Sequence, residues 1–280
     1  MKKILITGAN SYIGISFDEY MKNYSKEYLI DTLDMLDSTW KNKDFSGYDV
    51  IYHVAGIAHQ KETDENKYLY YEVNRDLSIE VAEKAKKDGV KQFIFLSSMS
   101  VYGLDTGVIT KHTLPEPKSN YGKSKLQAEQ QLCLMEDENF ALTIIRPPMV
   151  YGKNCKGNFQ SVIKLVKKLP VFPMVENRRS MIYIDNLSSF VKLCIDKNLK
   201  GLFLPQNREY VQTTDMASII AKSFDKKLRM SALLGLAVKI CMPFLSIAQK
   251  GFGSLIYKDT DEFDYTYCVV DSSESISKSI

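Results

Sequence analysis

The strongest constraint on the fold is an alternation. In the first half of the chain, short apolar runs rich in β-branched residues take turns with longer stretches of helical period. KILITG (3–8), YLIDTLD (28–34), DVIYHVAG (49–56), KQFIFLSS (91–98) and ALTIIRPP (141–148) read as buried strands. Helical patterns run from about Gly14 to Asn23, over 69–89 up to a capping Gly89, and onward from Tyr121. Strands that are apolar on both faces and separated by helices demand a parallel sheet wrapped by helices. The fold class is therefore α/β. Only thirteen residues, 35–47, separate the second and third strands, so the usual crossover helix must be very short or absent.

The second half is mixed. It predicts a helix near Asn158–Lys168, a strand running into a helix over 178–187, and short strands around Leu202–Val211. Helices near Thr213–Phe224 and Ser231–Lys250 follow. A chain of 280 residues with 45% hydrophobic and 25% charged residues has ample material for a core. A net charge of +3 is too small to argue for nucleic acid, which is not expected as a partner. Five widely spaced cysteines without a C-x-x-C pair fit reduced cytoplasmic thiols and argue against a disulfide framework or a metal site. The N-terminal MKKILITGAN runs directly into a strand and a glycine turn, so no signal peptide is expected.

The turn after the first strand, ITGANSYIG, puts Gly8 and Gly14 where a backbone approaches a pyrophosphate at a helix N-terminus. Asn10, Ser11, Tyr12 and Ile13 complete that turn as candidate cofactor contacts. Asp34, about 20 residues beyond Gly14, ends the second strand. A carboxylate there accepts ribose hydroxyls and repels a 2′-phosphate, which favours NAD over NADP.

SNYGKSK (119–125) places Tyr121 and Lys125 four residues apart on one helix face, behind a capping Ser119 and Asn120. An ammonium about 4 Å from a phenol at an effective dielectric of about 20 is worth roughly 4 kcal/mol. At about 1.4 kcal/mol per unit, that would draw a tyrosine pKa from about 10 toward neutrality. The pair is thus a candidate acid/base.

Taken together, TGANSYIG, HVAG, SSMSVYG, YGKSK and RPPMVYG, in that order and spacing, resemble the extended short-chain dehydrogenases/reductases that act as NAD-dependent sugar epimerases and dehydratases. KGNF and NRRSMIYIDNL look more narrowly like bacterial enzymes acting on N-acetylhexosamines, both 4-epimerases and 4-reductases. The resemblance implies a Rossmann-type NAD domain (1–152 plus about 180–200) and a smaller mixed α/β substrate domain (about 153–179 plus 201–280).

It also implies roles. Tyr121 matches the family's acid/base, Lys125 its partner lysine, and Ser98 the residue that bonds the reacting oxygen, with Ser100 as the competing assignment. Ser97 matches a neighbouring cofactor-side position. Ala55, Gly56, Ala58, Asn74 and Pro147 match positions lining the cofactor. Asn158 and Arg179 match residues that grip a substrate diphosphate, the alternative for Arg179 being a surface salt bridge. His59 is either a substrate contact or a packed polar residue. Ser11 departs from the family pattern by replacing its middle glycine, and its hydroxyl can face a phosphate. Trp40 or Asp44 is left to cover the adenine.

The implied substrate is an N-acetylhexosamine on a UDP or polyprenyl diphosphate, the implied location the cytoplasm or the inner face of its membrane, and a homodimer is an allowed assembly. Residues 231–256 are the most apolar stretch, interrupted by Lys239 and Pro243. They read either as a helix packed on its neighbours and broken at Pro243, or as a segment lying on a membrane.

Overall fold

The computed structural model describes all residues except His59, Lys61 and Asp261, and all side chains except those three and Ser246 and Ile247. In chain order the elements are β1 (Lys2–Thr7), α1 (Tyr12–Met21), β2 (Tyr28–Leu33), β3 (Val50–His53), α2 (Lys67–Tyr71), α3 (Leu77–Lys87), β4 (Gln92–Leu96), β5 (Gly107–Ile109), α4 (Asn120–Cys133) and β6 (Ala141–Ile145). They continue as β7 (Met149–Tyr151), α5 (Asn158–Lys168), β8 (Val171–Pro173), β9 (Met181–Tyr183), α6 (Ile184–Asp196), β10 (Gly201–Phe203), α7 (Thr213–Ser223), β11 (Arg229–Ser231), α8 (Ala232–Cys241), α9 (Ser246–Phe252), β12 (Leu255–Tyr257) and α10 (Ser272–Lys278).

Two units emerge: Met1–Gly103 with Leu114–Pro147 and Ser188–Leu204, and Leu104–Thr113 with Pro148–Leu187 and Pro205–Ile280. The first unit holds a parallel sheet in the order β10-β6-β4-β3-β1-β2. This is the Rossmann-type fold the alternation required. The short segment 35–47 carries only a 3₁₀ turn, Ser38–Asn42, in place of a crossover helix. The chain therefore returns from β2 directly to the far side of β1, and the order reverses there. In such sheets a ligand lies at the carboxyl ends of the strands flanking the reversal, here β1 and β3.

Alternation along the strands feeds both faces of this sheet. One face collects Leu5, Ile51, Phe93, Phe95, Leu142 and Ile144 against Val81, Ala85, Ala128 and Leu132 of the covering helices. Trp40 and Phe45 belong to the same cluster. Trp40 is therefore a core residue and does not cover an adenine. Asp44 accepts from the Ser46 amide and hydroxyl, a local turn bond. On the opposite face Phe17 of α1 meets Tyr52 of β3 edge to face, with ring centres 5.0 Å apart.

Residues 201–203 depart from their expected place. They form β10, pair in parallel with β6, and extend the main sheet. Of the strand expected up to Val211, only a single antiparallel bridge between Val211 and Arg179 forms. The second unit is built from three two-stranded parallel pairs, β11-β8, β12-β5 and β7-β9, with helices α5, α7, α8, α9 and α10.

Candidate active site

Gly8 follows β1 with φ +109°, a conformation that L side chains rarely adopt. A Cβ there would stand 2.7 Å from the Ala55 amide nitrogen, so the turn passes directly over the end of β3. Ser11 caps α1, its hydroxyl accepting from the Gly14 amide at 3.0 Å. The hydroxyl thus has a structural use, and its proton remains available as a donor. Gly14 is buried; a Cβ on it would lie 3.1 Å from Val54 Cγ2, so helix and sheet meet closely here. Tyr12 and Ile13 open the helix, where first-turn amides face outward along the axis.

Asp34 lies just past β2 and is exposed. Asn10 Nδ2 donates to its Oδ2 at 2.9 Å and the Leu36 amide to its Oδ1 at 3.0 Å. Both oxygens are thereby fixed, each keeping a lone pair for a further donor. Ala55 is buried, whereas Gly56 and Ala58 are exposed. His59 lies outside the described residues.

Gly56 sits against the interior of the site. A Cβ there would come within 2.9 Å of Asn74 Oδ1 and 3.4 Å of Lys125 Nζ. Asn74 is fully buried in a π-helical turn, Glu72–Asp76, between α2 and α3. Its side chain accepts from the Ile57 amide (2.8 Å) and donates to the Ile57 carbonyl (3.1 Å) and to Ser124 Oγ (3.3 Å). Asn74 thereby clamps the loop after β3 onto α4.

A second buried chain supports this clamp. Ser78 Oγ donates to the Asn74 carbonyl at 2.9 Å, so it accepts from His53 Nε2–H at 3.0 Å. His53 Nδ1 then accepts from the Thr7 hydroxyl at 2.7 Å. Burial, with the charge of Lys125 adding to it, pushes the His53 pKa down to about 3. This histidine is a neutral strut. A polar residue within an apolar strand was its only signal in the sequence.

Ser119 caps α4 through the Gly122 amide at 3.1 Å. Asn120 does not cap. It receives the Tyr71 hydroxyl on its Oδ1 at 2.7 Å, and its amide donates to Glu62 Oε2 at 3.2 Å. Tyr121 stands one residue further, with the Tyr70 ring edge-on at 6.4 Å. Tyr70, Tyr71 and Glu62 escaped the sequence reading because nothing in their spacing marks them.

The Tyr121 phenol does not behave as its spacing suggests. Burial raises its pKa above the ordinary value, a hydrogen bond from Ser98 opposes the rise, and Tyr70 adds to it. The pull expected from Lys125 does not enter, because the lysine, its own pKa lowered by burial, is already neutral where the phenol titrates. Its Nζ donates to the Leu96 carbonyl at 2.9 Å and lies 4.6 Å over the Phe95 ring. Lys125 is 4% exposed, and burial brings its pKa down to about 8, with Glu129 resisting.

Of the two serines, Ser98 is the one whose side chain holds the Tyr121 pKa down, and its hydroxyl donates to Ser100 Oγ at 3.1 Å. It caps the 3₁₀ turn Met99–Tyr102, taking the Ser100 amide at 3.1 Å, while Ser100 is exposed. Pro147 is buried and its carbonyl takes the Met99 amide at 2.9 Å, which holds this turn beside β6.

Ser97 directly follows β4. It is buried, and its hydroxyl donates to Glu129, itself buried on α4. Arg146 Nε donates to the same carboxylate at 3.0 Å, and its Nη1 to the Tyr102 hydroxyl at 2.8 Å. A charge pair this deep needs its hydrogen bonds satisfied. Ser97 is spent on that requirement.

In the second unit, Asn158 opens α5 and is exposed. Arg179 pairs its backbone with Val211, and its Nη1 donates to the Gly253 carbonyl at 2.8 Å at the end of α9. Burial lowers its pKa and Asp105 raises it. Part of the guanidinium fork is therefore a helix C-cap rather than a surface ion pair.

Residues 4–202 match the model of the NAD dependent epimerase/dehydratase family. The chain belongs to this family. It is 33% identical to a UDP-glucose 4-epimerase of Vibrio cholerae over 80% of this chain and 76% of that one. It is 29% identical to an N-acetyl-alpha-D-glucosaminyl-diphospho-ditrans,octacis-undecaprenol 4-epimerase of Escherichia coli O157:H7, over 87% and 80% of the two chains. The fold matches that of the Bacillus cereus UDP-glucuronic acid 4-epimerase in complex with NAD, with a TM-score of 0.74 at 20% identity and 99% and 96% coverage. The residues present fit the family's cofactor: the Gly8 turn leads into the N-terminus of α1, whose first-turn amides face outward, and Asp34 keeps lone pairs for ribose hydroxyls.

Proposed function

We propose that this enzyme is a 4-epimerase of an N-acetylhexosamine carried on a diphosphate, acting through a 4-keto sugar. The observation that carries the reading is the placement of Tyr121 and Lys125 on α4, with Lys125 and Asn74 closing the floor beneath Gly56 and the Ser98 side chain acting on the phenol. Bound NAD supplies the hydride acceptor and donor.

The chain's own residues do the rest. Tyr121 takes the proton from the 4-hydroxyl as hydride leaves C4, and returns it when hydride is delivered to the opposite face. Ser98 donates to the reacting oxygen while charge builds on it. The raised phenol pKa means that Tyr121 must first release its own proton to solvent before it can take the one from the 4-hydroxyl. Gly8, Asn10–Gly14, Asp34, Ala55, Gly56, Ala58, Asn74, Lys125 and Pro147 form the cofactor side. Asn158 and the rest of the Arg179 fork take the diphosphate, which suits a planar guanidinium.

Likeness to the lipid-linked epimerase supports a polyprenyl diphosphate as carrier, alongside UDP. The test is incubation of the purified protein, without added cofactor, with UDP-GlcNAc and separately with a polyprenyl-diphosphate-linked GlcNAc. Appearance of the C4 epimer is expected. Turnover that needs stoichiometric NAD(P)H would assign a 4-reductase instead.

A further inference from the structure

In the second unit, α8 touches its surroundings through one narrow stripe. Gly235 is buried, and a Cβ there would stand 1.9 Å from the Met174 carbonyl; Val238 and Met242, three and seven residues on, are half-buried. The opposite face is bare. Leu233, Leu236, Ala237 and Ile240 share it at i, i+3, i+4 and i+7, and all are exposed. Phe244 and Leu245, in the turn that follows, are exposed too, Leu233 reaching 81% and Phe244 84%. The expectation of a helix whose apolar face packs on its neighbours therefore fails. The break at Pro243 is real, a 3₁₀ turn between α8 and α9.

The base of this projection is well held. Asn177, buried, donates to the Gly253 carbonyl at 3.3 Å, Thr213 Oγ1 to Gly251 at 3.0 Å, and Arg179 to Gly253 at 2.8 Å. An ordered base and a bare apolar tip point to something that covers the tip. Charge says what. From Lys226 to Lys258 there is no acidic residue and there are six basic ones, Lys226, Lys227, Arg229, Lys239, Lys250 and Lys258. A second copy meeting this face isologously would set like charges against each other. An anionic lipid surface offers an apolar interior and the opposite charge together. Among the described residues no helix is long and apolar enough to cross a bilayer, so the contact is peripheral.

We propose that residues 232–245 are a docking element by which the protein lies on an anionic membrane, its leucines, Ile240 and Phe244 in the headgroup boundary and its lysines at the lipid charge. This deepens the proposed function, because a polyprenyl-linked sugar stays in the membrane, but it does not depend on which carrier is used.

The test is co-sedimentation of the whole protein with phosphatidylethanolamine–phosphatidylglycerol vesicles and with pure phosphatidylcholine vesicles. Binding to the anionic vesicles is expected, weakening as salt rises. The triple variant Leu233→Ser, Leu236→Ser, Ile240→Ser should bind at least about tenfold less, since its apolar anchor is gone. Lys239→Glu with Lys250→Glu should also bind less, and only to the anionic vesicles. An unchanged thermal midpoint and NAD affinity in each variant confirm that the fold survived. No sedimentation of the native protein, or equal sedimentation of native and triple variant, overturns the proposal. So does a dimer that the triple serine change dissociates while vesicle binding stays absent. If vesicles bind and only UDP-GlcNAc is turned over, docking stands and the lipid-linked substrate falls.

Discussion

Helix α4 and helix α8 invert the usual rule. α4 is polar in sequence, NYGKSKLQAEQQLC, yet it buries Ser124, Lys125 and Glu129 along with Ala128 and Leu132. α8 is apolar in sequence, ALLGLAVKIC, yet its one buried residue is Gly235. Polar groups go inside α4 because partners wait for each of them: the Leu96 carbonyl for Lys125, Arg146 for Glu129, Asn74 for Ser124. Apolar groups stay outside on α8 because its contacts run along one stripe, where the Met174 backbone stands too close to Gly235 for any side chain. Burial follows what the fold brings near, and a helix that departs from its own composition marks a place with a task.

The comparison is broken most sharply at Tyr121. Tyr121→Phe should keep NAD binding and lose at least about a hundredfold in turnover, the scale of general acid–base catalysis. Steady-state rates within a few fold of the native enzyme would remove Tyr121 from the chemistry.

Within α8 the two faces should differ. Gly235→Ala should cost about 2 kcal/mol or more, because overpacking against a backbone carbonyl outweighs the gain in helix propensity. Leu236→Ser, on the bare face, should stay within about 0.5 kcal/mol. Urea denaturation of both variants reads the contrast, and equal losses would mean that α8 packs on both sides.

Lys125 tests the opposite side of the comparison. Its pKa in the fold, about 8, lies below the value of 10.5 from which it is lowered. Below pH 8 both folded and unfolded chains are protonated and the cost of burying the charge is fully present; between 8 and 10.5 the unfolded chain holds more protons and stability rises with pH. That cost is at most about 3 kcal/mol at neutral pH, partly offset by the bond to Leu96. Lys125→Met should therefore stabilise the cofactor-free protein by about 1–2 kcal/mol at pH 7 while slowing turnover, and the gain should shrink toward pH 10. A destabilised variant at pH 7 would show that the Leu96 bond outweighs the charge.

The smallest effect is expected at exposed Asp34. Asp34→Ala should weaken NAD by about 1 kcal/mol, roughly what a hydrogen bond to a ligand hydroxyl contributes, and NADP less. An unchanged preference between the two cofactors would remove the ribose role.

The sequence by itself determined the parallel sheet, the glycine turn after β1, and the four-residue spacing of Tyr121 and Lys125. These are local properties: strand and helix periods, a backbone that only glycine adopts easily, and neighbours on one helix turn are all written in consecutive residues. The family followed from the same ordered motifs. Only the tertiary structure decided where the charges and hydroxyls point. Lys125 donates to the Leu96 carbonyl, burial governs the Tyr121 phenol, and Ser97 turns inward because Glu129 and Arg146 need it. Trp40 fills the core because 35–47 is too short to hold a helix there. Residues 201–203 join the main sheet because β6 offers an open edge. The bare face of α8 likewise depends on what stands opposite, which no window of consecutive residues contains. A hydrogen-bond partner or a packing surface is chosen among groups distant in the chain, so its choice becomes visible only when the chain is folded.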